Sequence, residues 1–334
     1  MDDHQTASVH PFGAETSMIG NRRYLVTGAA GFVGTETVRR LLDRGDSVVG
    51  VDSFTDYYHV ELKRENVASH GGRLELIEAD LLEIDLDRTL DGVDVVIHLA
   101  GQPGVRKSWG DDFTVYTRNN IDATQRLLEA VRRSPRIRRF LYASSSSVYG
   151  QAETYPTSEN ALPQPFSPYG VTKLAAEHMS LLYRANFGTP VSAFRFFTVY
   201  GPRQRPDMAF TRFLTAAETG SAITLYGTGE QVRDFTYVGD IAAALLLASD
   251  AVGELPPVMN LSGGSSVSVN EILASIEQLV GHPLEIVRQQ AARGDVFRTG
   301  GLSDVARDAL GWSPEVDLQE GLSRQLEWVR SRNR

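Results

Sequence analysis

The chain of 334 residues contains no cysteine. Disulfides, thiolate metal sites and thiol nucleophiles are therefore excluded. It has no apolar run long enough to span a bilayer. It also has no surplus of positive charge: 42 acidic residues outnumber 33 basic ones, giving a net charge of −9. Binding nucleic acid through bulk electrostatics is disfavoured by that balance, and an anionic ligand would need local arginines acting against the overall field. Residues 1–20 carry Asp2, Asp3 and Glu15 and lack an apolar core segment. They do not read as a signal peptide, so a flexible tail and a cytoplasmic protein are expected. No second His or carboxylate lies at metal-ligand spacing near His98, and no metal is expected.

What the chain does have is an ordinary globular composition, 42% hydrophobic and 22% charged, ample for a packed core. Short apolar runs at 24–26, 47–51, 74–77, 93–99, 140–143 and 191–197 read as strands. Helical stretches at 35–42, 121–132 and 169–186 lie between or after them. That alternation predicts an α/β fold, a doubly wound parallel sheet. Beyond it the pattern is broken by Pro202, Pro206, Gly220, Gly227, Gly229, Pro256-Pro257 and Gly263-Gly264. A smaller, mixed α/β C-terminal lobe is expected there, sending segments back to the first.

The first strand runs into Thr27-Gly28-Ala29-Ala30-Gly31-Phe32-Val33-Gly34. Glycines at 28, 31 and 34 make a tight turn, let a pyrophosphate approach the backbone and let helix pack on strand. The helix that follows offers its amide-rich end to phosphates. Asp52 closes the second strand at the offset where a carboxylate accepts from ribose hydroxyls and repels a 2'-phosphate, which favours NAD over NADP. Asp80-Leu81 and His98-Leu99-Ala100-Gly101 also sit at strand C-terminal ends, where such sheets bind ligands. A packing role is expected for His98. The candidate cofactor residues are Gly28, Gly31, Phe32, Val33, Asp52, Asp80, Leu81, Leu99, Ala100, Gln102, Asn120, Tyr169 and Lys173.

Tyr169 and Lys173 stand four apart in Ser167-Pro168-Tyr169-Gly170-Val171-Thr172-Lys173. On a helix they share a face. An ammonium near a phenol favours the phenolate, and such a tyrosine can take a proton from a sugar hydroxyl near neutral pH.

With TGAAGFVG at 27–34, HLAG at 98–101, SSSSVYG at 144–150, YGVTK at 169–173, RFFTVYGPRQRPDMAF at 195–210 and VRDFTYVGD at 232–240, the chain resembles the extended short-chain dehydrogenase/reductases. Within these it is similar to the nucleotide-sugar epimerases and dehydratases. The resemblance implies a Rossmann-type NAD-binding domain over 21–197 and a mainly substrate-binding lobe over 198–334, with about 236–262 returning to the first. It implies Tyr169 as base, Lys173 on the nicotinamide ribose and Ser145 on the reacting hydroxyl. Dehydratases of this family usually carry an acidic pair, and decarboxylases a Glu, where this chain has Ser146 and Ser147. Epimerisation needs only oxidation and re-reduction at one carbon.

The implied reaction is 4-epimerisation of a UDP-sugar through a 4-keto intermediate. Phe54-Thr55-Asp56-Tyr57-Tyr58, Leu62-Lys63-Arg64 and the RPDMAF run with Arg212 resemble UDP-glucuronate 4-epimerases most. Thr198, Ser147 and Arg212 would then surround the C6 carboxylate, since arginine holds a carboxylate with two parallel bonds. The remaining substrate candidates are Arg106, Ser145, Ser146, Tyr169, Arg205, Tyr226, Arg233 and Arg293. Arg233 fits the diphosphate site, while Arg293 is offset by one position, and Gln204 departs from that subgroup. A neutral UDP-glucose or UDP-N-acetylglucosamine epimerase, a dehydratase or decarboxylase, and a non-catalytic NAD sensor are the alternatives. A homodimer through the helices at 121–132 and 169–186 is also implied.

Overall fold

Seven strands, all parallel, form the central sheet in the order β10-β6-β5-β4-β1-β2-β3. These are β1 (Arg23–Thr27), β2 (Ser47–Asp52), β3 (Glu75–Glu78), β4 (Val95–His98), β5 (Arg139–Ser145), β6 (Val191–Phe196) and β10 (Val258–Leu261). The computed structural model describes residues 21–290, 294 and 296–332. The expected tail over 1–20 lies outside them.

Sequence alternation explains the two covered faces. Tyr24 and Val26 point into one apolar cluster and Leu25 into another. Helices α1 (Phe32–Asp43) and α8 (Val238–Asp250) pack on the first face; α5 (Ala123–Arg132) and α6 (Pro168–Phe187) cover the second. Short helices α2 (Val60–Ala68), α3 (Leu86–Thr89) and α4 (Phe113–Tyr116) fill the connections, and a π-helical turn over Thr117–Asp122 joins α4 to α5.

The remaining elements build the smaller lobe. A three-stranded sheet takes the order β11-β9-β7, with β7 (Thr198–Tyr200), β9 (Val232–Tyr237) and β11 (Ser266–Ser268). A two-stranded sheet pairs β8 (Ile223–Tyr226) with β12 (Ile286–Gln289). Helices α7 (Ala209–Thr219), α9 (Val269–Val280), α10 (Asp304–Leu310) and α11 (Leu318–Arg332) complete it. The first apolar cluster runs unbroken from Tyr24 through Ile241 and Leu245 to Phe210, Phe235 and Leu322. The lobe and the sheet thus share one core, and the segments that follow β1 and β4 line an open cavity.

Candidate active site

The β1–α1 turn requires its glycines. Gly28 has φ of +71°, and a Cβ there would lie 2.9 Å from the Ala100 nitrogen. A Cβ on Gly34 would stand 2.0 Å from the Gly28 oxygen. Gly31 caps α1 without any side-chain bond, and the first turn carries no acidic residue. The leading amides of α1 are therefore left for an anion.

An open cavity lies at this turn. Gly28, Gly31, Phe32, Val33, Asp52, Asp80, Leu81, Leu99, Ala100 and Gln102 line it. Asp52 accepts from Phe54 N at 2.9 Å, from Ala30 N at 3.2 Å and from the Lys63 amine at 3.3 Å. Asn119, not Asn120, reaches the cavity wall. The Asn120 side chain is spent inside: Oδ1 accepts from Gln102 N at 2.6 Å, and Nδ2 donates to Gln102 O at 3.2 Å and Thr172 Oγ1 at 2.9 Å. Its π-helical turn brings it to that position. His98 is fully buried between Thr27 Oγ1 at 2.7 Å and Thr124 Oγ1 at 2.9 Å. Burial pulls its pKa down to about 3, so it is a neutral bracing group.

Ser167 caps α6, its hydroxyl accepting from Gly170 N at 3.1 Å, and Pro168 takes the first turn. Tyr169 thereby stands at the helix start, facing Ser145 at the end of β5. Burial raises the Tyr169 pKa; hydrogen bonding by Ser145 and the charge of Arg205 lower it. The sequence reading assigns that electrostatic help to Lys173. In the structure Arg205 supplies such a charge, and the Lys173 amine lies over the Tyr142 ring, 4.6 Å from its centre. Lys173 is buried, and desolvation brings its pKa down to about 7 against the opposing charge of Glu177. Behind it, Glu177 accepts from Ser144 Oγ at 2.5 Å and from Arg195 at 2.6 Å and 3.1 Å.

A second cavity adjoins the first, and Tyr57 lines both. Arg106, Thr198, Arg212, Tyr226 and Arg233 meet in its wall. The Arg106 guanidinium lies over the Tyr226 ring at 4.4 Å. Arg205 faces the first cavity instead. Ser145, Ser146, Ser147 and Tyr169 line neither. Ser146 and Ser147 form a 3-10 turn after β5, with Ser147 N donating to Ser145 Oγ at 3.1 Å. Arg293 lies outside the described residues.

The departure at Gln204 has a structural explanation. Its side chain donates to Val199 O at 3.0 Å and accepts from Thr211 N at 3.0 Å and Gln325 Nε2 at 3.1 Å. It is buried and clamps the loop that carries Arg205. Sequence reasoning assigned no site role to Tyr57, Lys63, Asp207, Glu177 or Arg195. The 54–58 and 62–64 runs were the available signal for the first two. Glu177 follows Lys173 by four residues, and that spacing was the signal for the third turn of the same helix face. Among the described residues no group of three His, Asp or Glu side chains could hold a metal, and no helix is long and apolar enough to cross a membrane.

The model of the NAD dependent epimerase/dehydratase family matches residues 24–262. An uncharacterized UDP-glucose epimerase of Bacillus subtilis (strain 168), YtcB, is 40% identical over 315 residues, 92% of this chain and 98% of its own. A crystal structure of UDP-glucuronic acid 4-epimerase from Bacillus cereus, in complex with UDP-glucuronic acid and NAD, is similar with a TM-score of 0.88. It is 39% identical and covers 92% of this chain and 99% of that one. MoeE5 in complex with UDP-glucuronic acid and NAD is similar with a TM-score of 0.84 and 42% identity, over 93% of this chain and 99% of its own. MoeE5 has also been solved with UDP-glucose and NAD.

Proposed function

We propose, for a chain that belongs to the NAD dependent epimerase/dehydratase family, that it inverts C4 of a UDP-sugar, with UDP-glucuronate and UDP-galacturonate as the interconverted pair. The observation that carries this reading is the meeting of Tyr169 with Ser145 and with Arg205, a residue that lines the glycine-rich cavity, next to a second cavity rimmed by arginines. The likeness to the Bacillus cereus enzyme supports the uronate assignment.

The first cavity suits NAD: its glycine turn excludes a Cβ, α1 offers bare amides, and Asp52 is placed for a ribose diol. When bound, the nicotinamide supplies the hydride acceptor and donor for C4. Tyr169 takes the O4 proton and later returns it, Ser145 holds that oxygen, and Lys173 is assigned to the nicotinamide ribose. Arg233 and Arg106 are assigned to the diphosphate end through the second cavity, with Tyr226 beside them.

The carboxylate of a uronate sits on C5, next to the carbon whose hydroxyl must meet Tyr169. A cation that the phenol senses is therefore near the carboxylate. Arg205 satisfies this, and we assign it the carboxylate, with Thr198 and Arg212 on the neighbouring wall. Ser146 and Ser147 supply no carboxylate for elimination. A 4-epimerase of neutral UDP-glucose is the second reading, favoured by MoeE5 having been solved with that sugar too.

The proposed division is a dinucleotide domain over 21–197 and a substrate lobe over 198–334, with about 236–262 returning; the pairing of β10 with β6 supports it. A homodimer through α5 and α6 is part of the proposal, supported by Val171, Leu182 and Phe187 standing exposed on α6; sedimentation measurement tests it. A cytoplasmic location goes with it, and cell fractionation tests that. The activity itself is tested by product analysis with UDP-glucuronate, UDP-glucose and UDP-N-acetylglucosamine. Formation of UDP-galacturonate without CO2 release is expected. Turnover of a neutral sugar alone would overturn the uronate assignment, and silence on all three would overturn the epimerase.

A further inference from the structure

Arg205 already holds a carboxylate. Asp207, two residues along the same loop, accepts from Arg205 Nε at 3.0 Å and from Nη2 at 3.0 Å. This is the two-bond fork by which arginine recognises any carboxylate. The pair is asymmetric: the Arg205 side chain is 17% exposed and that of Asp207 36%. The guanidinium is thus fixed in the wall, and the carboxylate is the outer, replaceable partner. Asp207 lines the arginine-rimmed cavity and Arg205 the glycine-lined one, so their bond spans the junction between them. Tyr57, which borders both cavities, hydrogen-bonds Asp207 from the other side.

Bond counting separates possible occupants. A sugar carboxylate can replace both Asp207 bonds with two of the same kind, at little net change. A neutral hydroxymethyl group offers one uncharged oxygen for two charged acceptors, which leaves Asp207 in place and its carboxylate facing the sugar. We propose that Asp207 is a specificity-determining residue that occupies Arg205 in place of a substrate carboxylate, so that an anionic sugar displaces it and a neutral sugar does not. The inference rests on the uronate reading given above.

Asp207→Asn keeps the shape and one weak acceptor while removing the charge. Calorimetry in a Tyr169→Phe background, where bound sugar stays unconverted, measures UDP-glucuronate and UDP-glucose with and without Asp207→Asn. UDP-glucuronate is expected to bind tighter by on the order of fivefold once its competitor is gone, the scale of one partly exposed ion pair. UDP-glucose should change by less than about twofold. Unchanged or weaker uronate binding overturns the inference, since Asp207 would then merely buttress Arg205. Equal tightening of both sugars also overturns it, since charge would not be what discriminates. If the Tyr169→Phe protein with Asp207 intact, and its Asp207→Asn variant, bind UDP-glucose but no UDP-glucuronate, the uronate reading itself falls and takes this inference with it.

Discussion

The Lys173 amine stands 4.6 Å from the centre of the Tyr142 ring, one helix turn before Glu177, whose carboxylate is committed to Arg195. A lysine buried this way is held at a cost. Its pKa is about 7 where an ordinary lysine has 10.5, so between those values the unfolded chain binds a proton that the folded one does not. Stability therefore rises with pH from about 7 toward 10.5, and below 7 the full burial penalty, a few kcal/mol by order of magnitude, is present. Lys173→Met should raise the melting temperature at pH 6–7 by several degrees (about 1 kcal/mol shifts it by ~2–4 °C). The same variant should lose most turnover. A scanning calorimeter and a product assay on one preparation check both halves.

Tyr169 acts as a base only when deprotonated. Ser145 and Arg205 both pull its pKa down against burial. Removing either raises that pKa and moves the acid limb of the pH–rate profile upward. Arg205→Met should shift it upward, and Ser145→Ala should shift it in the same direction while lowering the plateau as well. Tyr169→Phe should lower turnover by roughly 10²–10⁴-fold and leave the bound dinucleotide in place. Rate profiles and spectrophotometry of the bound cofactor measure these effects.

Asp52 and Lys63 form a buried pair at 3.3 Å in the cofactor cavity. Asp52→Ala leaves the ammonium without its carboxylate and removes the repulsion toward a 2'-phosphate. The affinity ratio of NADPH to NADH should rise by about tenfold or more. Fluorescence titration with both dinucleotides reads the ratio; an unchanged ratio would show that Asp52 does not select the cofactor.

Two buried histidines set the acid limit of the fold. Among the described residues His70 has no hydrogen-bond partner on either ring nitrogen, and burial lowers its pKa to about 4; that of His98 is about 3. Both are neutral in the folded protein. Unfolded histidine takes up a proton near 6.5, so their contribution is fully present above 6.5 and is lost as pH falls from 6.5 to about 4 for His70 and about 3 for His98. Denaturant melts at pH 7 and pH 5 should differ in that direction, and His70→Phe should flatten part of the slope.

The dinucleotide half was legible because its signals are local. Gly28 and Gly34 are required by close backbone contacts, with Ala100 and with Gly28 itself, and Tyr24 to Val26 alternate between two faces of the sheet. Tyr169 and Lys173 were likewise legible from helix spacing. What spacing could not supply was direction. Lys173 turns to Tyr142, and the cation at the phenol comes from a loop thirty-six positions away, placed there by Gln204 bonding to Val199, Thr211 and Gln325. That clamp joins α7, α11 and β7, and no window of sequence contains all three. Asn120 escaped for a related reason: the π-helical turn rotates it inward and puts Asn119 at the cavity wall.

The return of β10 to the edge of the sheet governs how the molecule can come apart. Beside β6 it occupies a position that the first 197 residues leave bare, and the apolar cluster continues across both lobes. A fragment ending there would expose a row of unpaired backbone groups and half a core, inviting self-association. Heat should accordingly melt the chain in a single cooperative transition, and the two lobes should not swing apart as independent bodies during turnover. Sugar exchange then falls to the loops at the cleft mouth.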